Sequence, residues 1–519
     1  MDFIKRTPLI ANSLRDPSRV MFTSLLLIYL ATLTSDYYWD GITFALQIEK
    51  VAKGERGASL LFHQNHLLYN GIGYLVYTAE QAIGISLRAL NLLQIMNAIA
   101  GAAAVGVFFR IAQRATGSRY AAVVCSFALA LSAVWWKLAT DADAYILSIL
   151  LILVCANNLL SERPRWYVAA PALAGAMLIH QLASLFFPAA LVALFLSENI
   201  ERKWRFGAWL SSIAWAMAIG VYYVCAALLH DIGEPIDVVK WAVSNQSGVS
   251  PSLNPLHGLS LIPRTSSDLI LGHDFGFVRS HGSWIELCFA LAAFITATVC
   301  VFKIVRRAKF GGAVRALVRL APEVRESWKH IAPVLITWVG MYLVFLIFWE
   351  PWQTYYRAFY APALLLLFGL ALSNYHRLLD NAPSGAAALA VAALVLFNLA
   401  FFIVPHMRTI SNTRIAAARK ASKIWNERTV IYFADHTEVD TTFEYLNEAT
   451  TWRRFTSRTR LTLDSEIQQA HRDGGRIWLN KGVVESADPT WLRSYARGRE
   501  IRIEGTHVTP QYVELLPPP

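Results

Sequence analysis

The chain has 519 residues, of which 55% are hydrophobic and only 16% charged. A soluble protein of this length carries about 25% charged residues, so the composition excludes an ordinary soluble enzyme and predicts a polytopic membrane protein. The net charge of +11 would suit a nucleic-acid binder in a soluble chain. Here Lys and Arg gather in short segments between apolar runs, as cytoplasmic orientation signals do, and no nucleic-acid partner is expected.

In chain order, Lys5, Arg6, Arg15 and Arg19 precede a first apolar run, Val20 to Leu33, that has no small-residue cleavage site. This reads as an uncleaved anchor. With the bilayer thickness as ruler, spans are predicted at roughly 20–34, 89–110, 120–138, 142–160, 166–180, 182–197, 206–229, 283–305, 331–349, 354–373 and 385–404, about eleven in all. The pair at 166–197 is short and reads as two partial spans joined at His180-Gln181. The basic segments Arg110–Arg119, Ser161–Arg165, Glu198–Arg205 and Lys303–Lys329 fall on one side of this alternation, so the N-terminus is expected inside and the C-terminus outside.

Three outward segments exceed simple turns. The first loop, about 35–88, reads as two amphipathic stretches, Trp39–Ala52 and His66–Gln81. The second, about 230–282, is rich in Gly, Pro, Ser and His. The third is the tail, which divides the chain into a membrane domain, 1–404, and an extracytoplasmic domain, 405–519. Strand-like runs such as Thr429–Phe433 and Arg476–Leu479 alternate there with helical ones, predicting a small α/β domain. The expected fold is therefore an all-α polytopic membrane protein with a long first outer loop and a small C-terminal α/β domain. The five cysteines, Cys125, Cys155, Cys225, Cys288 and Cys300, all lie in apolar runs without a ligand pattern and read as core residues.

Chemistry-bearing residues concentrate at the outer ends of the spans. Asp36 and Asp40 follow the first span within about one helical turn, separated by Tyr37, Tyr38 and Trp39. An aromatic belt around a solvated helix end is one reading, and a carboxylate facing both lipid head group and aqueous substrate is the other. His63 and His66, about one turn apart, could ligate zinc or meet an anionic head group. Asp141-Ala142-Asp143 matches the D-x-D pattern that holds metal and phosphate in many sugar transferases, and equally suits a helix N-terminus. His180 and Arg357 are basic groups among apolar neighbours. For Arg357 the alternatives are a salt bridge to Glu350 and a lipid phosphate. His273, Asp274 and His281 read as ordinary loop residues, and the sequon Asn245-Gln246-Ser247 is too common to use. No phosphate-binding glycine loop, nucleophile elbow or kinase set is present in the sequence.

Together these residues resemble the membrane glycosyltransferases of the GT-C superfamily, in particular bacterial relatives of protein O-mannosyltransferases and of aminoarabinose transferases. The resemblance lies in Asp36-Tyr-Tyr-Trp-Asp40-Gly41 after the first span, in His63-Gln-Asn-His66-Leu-Leu-Tyr69, and in Ala139-Thr-Asp141-Ala-Asp143-Ala-Tyr145 before the fourth span. In the last motif, aspartates stand where glutamates are commoner. The motifs cover roughly residues 20–200, the later spans agree in topology alone, and the tail matches no nameable domain. The resemblance implies an inner-membrane, cell-envelope enzyme that moves a sugar from a polyprenyl-phosphate donor to a glycan, lipid or protein hydroxyl on the outer face, with inversion. It implies Asp40, or Asp36, as general base, and Arg357, His66, His63 and His180 as candidates for the donor phosphate. Asp141 and Asp143 are candidates for metal or phosphate. No cofactor is specified, and a divalent metal stays open.

The competing readings are a lipid-linked sugar flippase or other transporter, and a non-catalytic membrane scaffold. Transporters place ionisable groups near the bilayer midplane and often carry paired broken helices. This sequence gathers its carboxylates at the outer interface, and a scaffold would not need Asp36, Asp40, His63 and His66 together. Reporter fusions after Arg205 and after Lys329 are expected to report cytoplasm, and fusions after Asn412 the outside. A cytoplasmic tail would invert the site and sink the enzyme reading.

Overall fold

The computed structural model describes residues 16–197, 203–244, 254–307, 322–378, 385–408, 412–486, 495–503 and 510–517. Lys5, Arg6, Arg15, the Asn245-Gln246-Ser247 sequon and parts of the basic segments Glu198–Arg205 and Lys303–Lys329 lie outside the described residues. The chain forms two compact units, Met1–Thr34 with Ile48–Pro405, and Ser35–Gln47 with His406–Pro519. The second is the C-terminal unit, and it includes thirteen residues that the sequence alone assigns to the first outer loop.

The membrane unit is helical. Its first helices are α1 (Pro17–Ala31), α2 (Trp39–Ala52, shared with the C-terminal unit), α3 (Tyr69–Ala82), α4 (Ala89–Thr116), α5 (Arg119–Ala130), α6 (Ala133–Thr140), α7 (Tyr145–Leu159), α8 (Trp166–Ile179) and α9 (Phe187–Leu196). Then follow α10 (Lys203–Leu229), α11 (Pro235–Val243), α12 (Pro255–Ile270), α13 (Phe275–His281), α14 (Trp284–Arg307), α15 (Pro322–Phe348), α16 (Ala361–Leu378) and α17 (Ala386–Asn398). The last runs on through a π-helical turn, Leu399–Ile403, to His406. The two amphipathic stretches of the first loop are the helices α2 and α3.

Five described helices are long and apolar enough to cross a membrane, and a sixth span is gained if α5 and α6, bent by 62°, count as one. On length, the described residues do not confirm the expected count of about eleven spans. The helices α1, α7 and α8 and the segment Gln181–Leu196 are apolar but shorter than a full span. The cause is visible at the breaks. Between α5 and α6 the chain turns at Leu131-Ser132, where the Ser132 hydroxyl donates to the Leu129 carbonyl at 2.8 Å. At His180 the helix gives way to a 3₁₀ turn, Gln181–Phe186.

Helix α4 is the central element. Two thirds of its apolar window (67%) is buried in protein, against 17% for the windows in α14 and in the last span. The latter two present most of their apolar surface outside the described protein, whereas α4 is surrounded by helices. Small residues permit this: a β-carbon on Gly101 would stand 2.8 Å from that of Ala139, so the α4 backbone packs directly on the Ala139 methyl of α6.

The C-terminal unit carries a five-stranded sheet. Its elements are α18 (Thr413–Ala421), β1 (Thr429–Phe433), α19 (Glu438–Leu446), β2 (Thr451–Arg454), α20 (Ser457–Arg472), β3 (Arg476–Asn480), α21 (Lys481–Ser486), β4 (Ala496–Ile501) and β5 (Tyr512–Leu516). The order is β2-β1-β3-β5-β4, with β1 parallel to β2 and β3, and β5 antiparallel to β3 and β4. Side chains alternate across it. Ile431 and Trp478 join Trp425, Phe443 and Tyr512 on one face, while Tyr432, Ile477 and Leu479 join Leu463 and Ile467 on the other. Central strands buried on both faces are what a parallel sheet with helices on either side requires.

Open α/β sheets bind ligands outside the carboxyl ends of their strands, where the connections diverge, here between β1 and β3. That place is filled. Asp440 is fully buried and accepts from the Thr437 amide at 2.9 Å, the Thr437 hydroxyl at 2.7 Å, Asn480 Nδ2 at 3.1 Å and the Tyr512 hydroxyl at 2.7 Å. Asp440→Ala would strand these donors in a dry crevice. It is expected to destabilise the unit by about 3 kcal/mol or more, read as a lower urea midpoint of tryptophan fluorescence. Asp440→Asn should cost less.

Candidate functional site

Two amides on α4 organise one end of the helical unit. Gln94 Nε2 donates to the carbonyls of Thr34 and Thr140, both at 2.9 Å. One turn on, Asn97 Nδ2 donates to the carbonyls of Asp141 at 2.8 Å and Asp143 at 2.7 Å, and its oxygen lies 3.4 Å from the Tyr69 hydroxyl. The end of the first span and the D-x-D turn are thereby pinned to one helix. Sequence reasoning missed both amides. The available signal was a row of polar residues three apart, Asn91, Gln94 and Asn97, inside an apolar run, where polar groups are expensive.

The D-x-D aspartates differ. Asp141 is buried against Lys137 Nζ at 2.7 Å, and its other oxygen accepts from the Ala142 amide at 2.8 Å. Lys137 also reaches the Thr34 hydroxyl at 3.3 Å. Asp141 is thus the C-terminal cap of α6, while α7 starts after Ala144 with no side-chain cap, so the helix N-terminus expected of the D-x-D turn is not formed by either aspartate. Asp143 is equally buried, and its charge acts on Tyr69.

The three histidines come together. His66 lies edge-on to His180 with ring centroids 4.6 Å apart, and His63 stacks on His66 at 6.0 Å. Tyr145 and Phe359 close on His180 at 4.7 and 5.3 Å. His63 Nδ1 accepts from the Asn65 amide, and His180 Nδ1 accepts from the Leu182 amide, so in both rings Nε2 carries any proton. Burial, then the neighbouring His180 and His63, holds His66 well below the usual histidine range. It is thus a neutral hydrogen-bonding group and not a standing cation. Among the described residues no group of three or more His, Cys, Asp or Glu is arranged to hold a metal ion.

Arg357 lies on the 3₁₀ turn Tyr355–Phe359, which packs through Phe359 against Tyr145 and His180. It is completely buried. Nη1 donates to the Tyr360 hydroxyl and Nη2 to the Pro351 carbonyl, both at 2.9 Å. Nε has no hydrogen-bond partner among the described residues. Glu350 is not its counter-ion. Glu350 stands at the head of the turn with φ of 43°, and the Pro351 carbonyl takes the guanidinium instead.

Asp36 and Asp40 belong to the C-terminal unit. Asp36 is tied down: His406 Nε2 lies 3.2 Å from Oδ2, Asn412 Nδ2 donates to Oδ1 at 2.7 Å, and the Ser35 and Asp36 amides donate to the His406 carbonyl. Asp40, in the first turn of α2, has its carboxyl pushed up to about 7 by burial and then by the Glu438 carboxylate. Glu438 itself lies 3.6 Å from Arg414. The two aspartates, alike in sequence, are therefore a structural tie and a group that titrates near neutrality.

No family model matches the chain, and no curated protein matches it. Among solved structures it is similar to the crystal structure of ArnT from Cupriavidus metallidurans bound to undecaprenyl phosphate, with 12% identity, 96% of this chain and 97% of that chain covered, and a TM-score of 0.48. The apo state of the same protein gives the same values. The Archaeoglobus fulgidus oligosaccharyltransferase, in complex with Zn and sulfate, is similar at 11% identity over 92% of this chain and 71% of that chain, with a TM-score of 0.43.

The raised Asp40 carboxyl has a consequence for stability. The folded chain keeps this proton up to about pH 7, whereas an unfolded aspartate releases it near 4. The contribution to stability is then full below about pH 4 and falls as pH rises toward 7. Asp40→Asn should flatten that slope, so that its thermal midpoint gains on the parent at pH 8 but not at pH 4.

Proposed function

We propose that this protein is an integral-membrane glycosyltransferase that moves a sugar from a polyprenyl-phosphate donor to an acceptor hydroxyl on the outer face of the bacterial inner membrane. Arg357 is the observation that carries this reading. A guanidinium removed from water without a carboxylate partner is expensive. This one is completely buried after an apolar span, bound to the Tyr360 hydroxyl, with its Nε uncommitted among the described residues. A phosphate oxyanion is the ligand that a guanidinium fork suits best.

The chemistry assigns each group one task. The acceptor hydroxyl oxygen attacks the anomeric carbon while its proton passes to the Asp40 carboxylate. The bond from the anomeric carbon to the phosphate oxygen breaks, and its electron pair leaves with the polyprenyl phosphate. A single displacement inverts the anomeric centre. Arg357 stabilises the departing phosphate, so that leaving group needs no acid. His66 and His180, as neutral imidazoles, would serve it as hydrogen-bond donors. Asp36 holds the loop, and Asp141 holds Lys137. The elevated proton affinity of Asp40 suits a general base, which works best with a pKa near the operating pH. The flippase reading leaves an interfacial carboxylate that titrates near 7 without a task.

The test is sugar transfer from a synthetic polyprenyl-phosphate donor in nanodiscs. Asp40→Asn should lower kcat by roughly two to four orders of magnitude with the donor constant little changed, and wild-type activity should fall on the acid side with a midpoint near 7. Arg357→Lys should raise the donor constant, Arg357→Ala should raise it further, and Glu350→Gln should be mild. A wild-type donor constant in Arg357→Ala would remove this residue from the site.

A further inference from the structure

We infer that Asn398 is a positioning residue of the outer-face site: its amide clasps the second outer loop and the break between α5 and α6 to the last span, and so holds α6 and the Arg357 turn in register. The catalytic part of this inference rests on the glycosyltransferase reading. The clasp does not.

Asn398 is completely buried within the last apolar span. Its Nδ2 donates to the carbonyl of Leu131, where α5 ends at the 62° bend, and to the carbonyl of Ile270, where α12 ends, both at 2.9 Å. Its oxygen lies 3.2 Å from the Gly272 amide. The side chain thus spends both its donors and its acceptor on main-chain groups from two interruptions of regular structure. At membrane depth no water is at hand to satisfy such groups, so an interrupted backbone must be satisfied by protein.

The same junction carries a second fastening. From Leu399 the span takes one π-helical turn. The Phe401 carbonyl accepts from the Asp274 amide at 2.7 Å. Gly272 threads between the two sides. A β-carbon there would stand 2.4 Å from Phe402 Cγ and 2.7 Å from the β-carbon of Ala133, the first residue of α6. Helix α12 packs against α6 and against the Tyr355–Phe359 turn, and α6 packs against that turn and against the π-turn. Helix α6 carries Lys137 and ends at the Asp141 turn, while the 3₁₀ turn carries Arg357. One amide therefore sits behind both the Lys137–Asp141 pair and the Arg357 turn without touching either. π-turns inside helices recur at functional sites, and a displacement of about 1 Å behind a site can cost turnover heavily even where the reacting groups themselves are unchanged.

The experiment uses the full chain in nanodiscs, with Asn398→Leu and Gly272→Ala attacking the clasp from its two sides. Hydrogen exchange by mass spectrometry should accelerate by about tenfold or more in 131–137 and 266–276 and stay unchanged in the sheet at 429–433 and 476–480. Sugar transfer should fall by about 10- to 100-fold in kcat, with the lipid-donor constant within about threefold, because Arg357 keeps its own anchors. Exchange that accelerates everywhere would mark a merely structural residue and overturn the inference, as would unchanged exchange. Local acceleration with undiminished kcat would overturn the positioning role. If the wild type transfers no sugar but exchange is released locally, the glycosyltransferase reading fails while the clasp stands. If Asn398→Leu does not fold, Asn398→Asp, which keeps the shape and loses the amide donors, reads the same exchange.

Discussion

In lipid the main chain must satisfy itself, and the candidate residues of the helical unit cluster where it fails to. Breaks between helices strand carbonyls and amides, and at membrane depth no water reaches them. The membrane unit answers with side-chain amides set inside its helices. Gln94 and Asn97 take four carbonyls from the first span's end and the D-x-D turn, and Asn398 takes three groups from the α5–α6 bend and the end of α12. Such bonds have direction, unlike apolar packing, so they fix where the charged side chains between them stand.

Charge is distributed on the same principle. Buried ions survive when paired, and Lys137 with Asp141 is a close pair in which removal of one partner would leave the other uncompensated. Among the described residues, Arg357 is held by neutral oxygens, from a tyrosine and a proline carbonyl. The two basic groups of the same unit thus differ in kind of partner, a carboxylate for Lys137 and neutral oxygens for Arg357.

Much of the architecture could be read from the sequence because it follows from local pattern. The apolar segments fall where helices stand, and the runs Thr429–Phe433 and Arg476–Leu479 fall on β1 and β3. Hydropathy overestimates the span lengths because it does not register a bend at Leu131-Ser132 or a 3₁₀ turn after His180. Strand β4 escapes a reading by pattern because Arg497, Gly498, Arg499 and Glu500 carry an edge-strand composition without apolar alternation. In the site, the histidines, the D-x-D turn and Arg357 were legible as residue types in odd surroundings. Their partners were not. Proximity in sequence suggested Glu350 for Arg357, yet a left-handed residue at the head of the turn brings a carbonyl there instead. Asp36 and Asp40 look alike until His406, Asn412 and Glu438 distinguish them, and those lie hundreds of residues downstream.

That separation has a temporal side. The hydrogen bond from Asn412 to Asp36 spans 376 positions of chain. At the pace of protein synthesis, about 5–20 residues per second, the Asp36–Asp40 segment leaves the ribosome roughly 20 to 75 seconds before the segment that will hold it. It must wait, with its carboxylates hydrated, until the tail has been made. The proton affinity of Asp40, which depends on burial and on Glu438, is then among the last properties of the molecule to be established. A chain cut short before the tail would carry the whole arrangement of α4, its turns and Arg357, and an aspartate still titrating like any other.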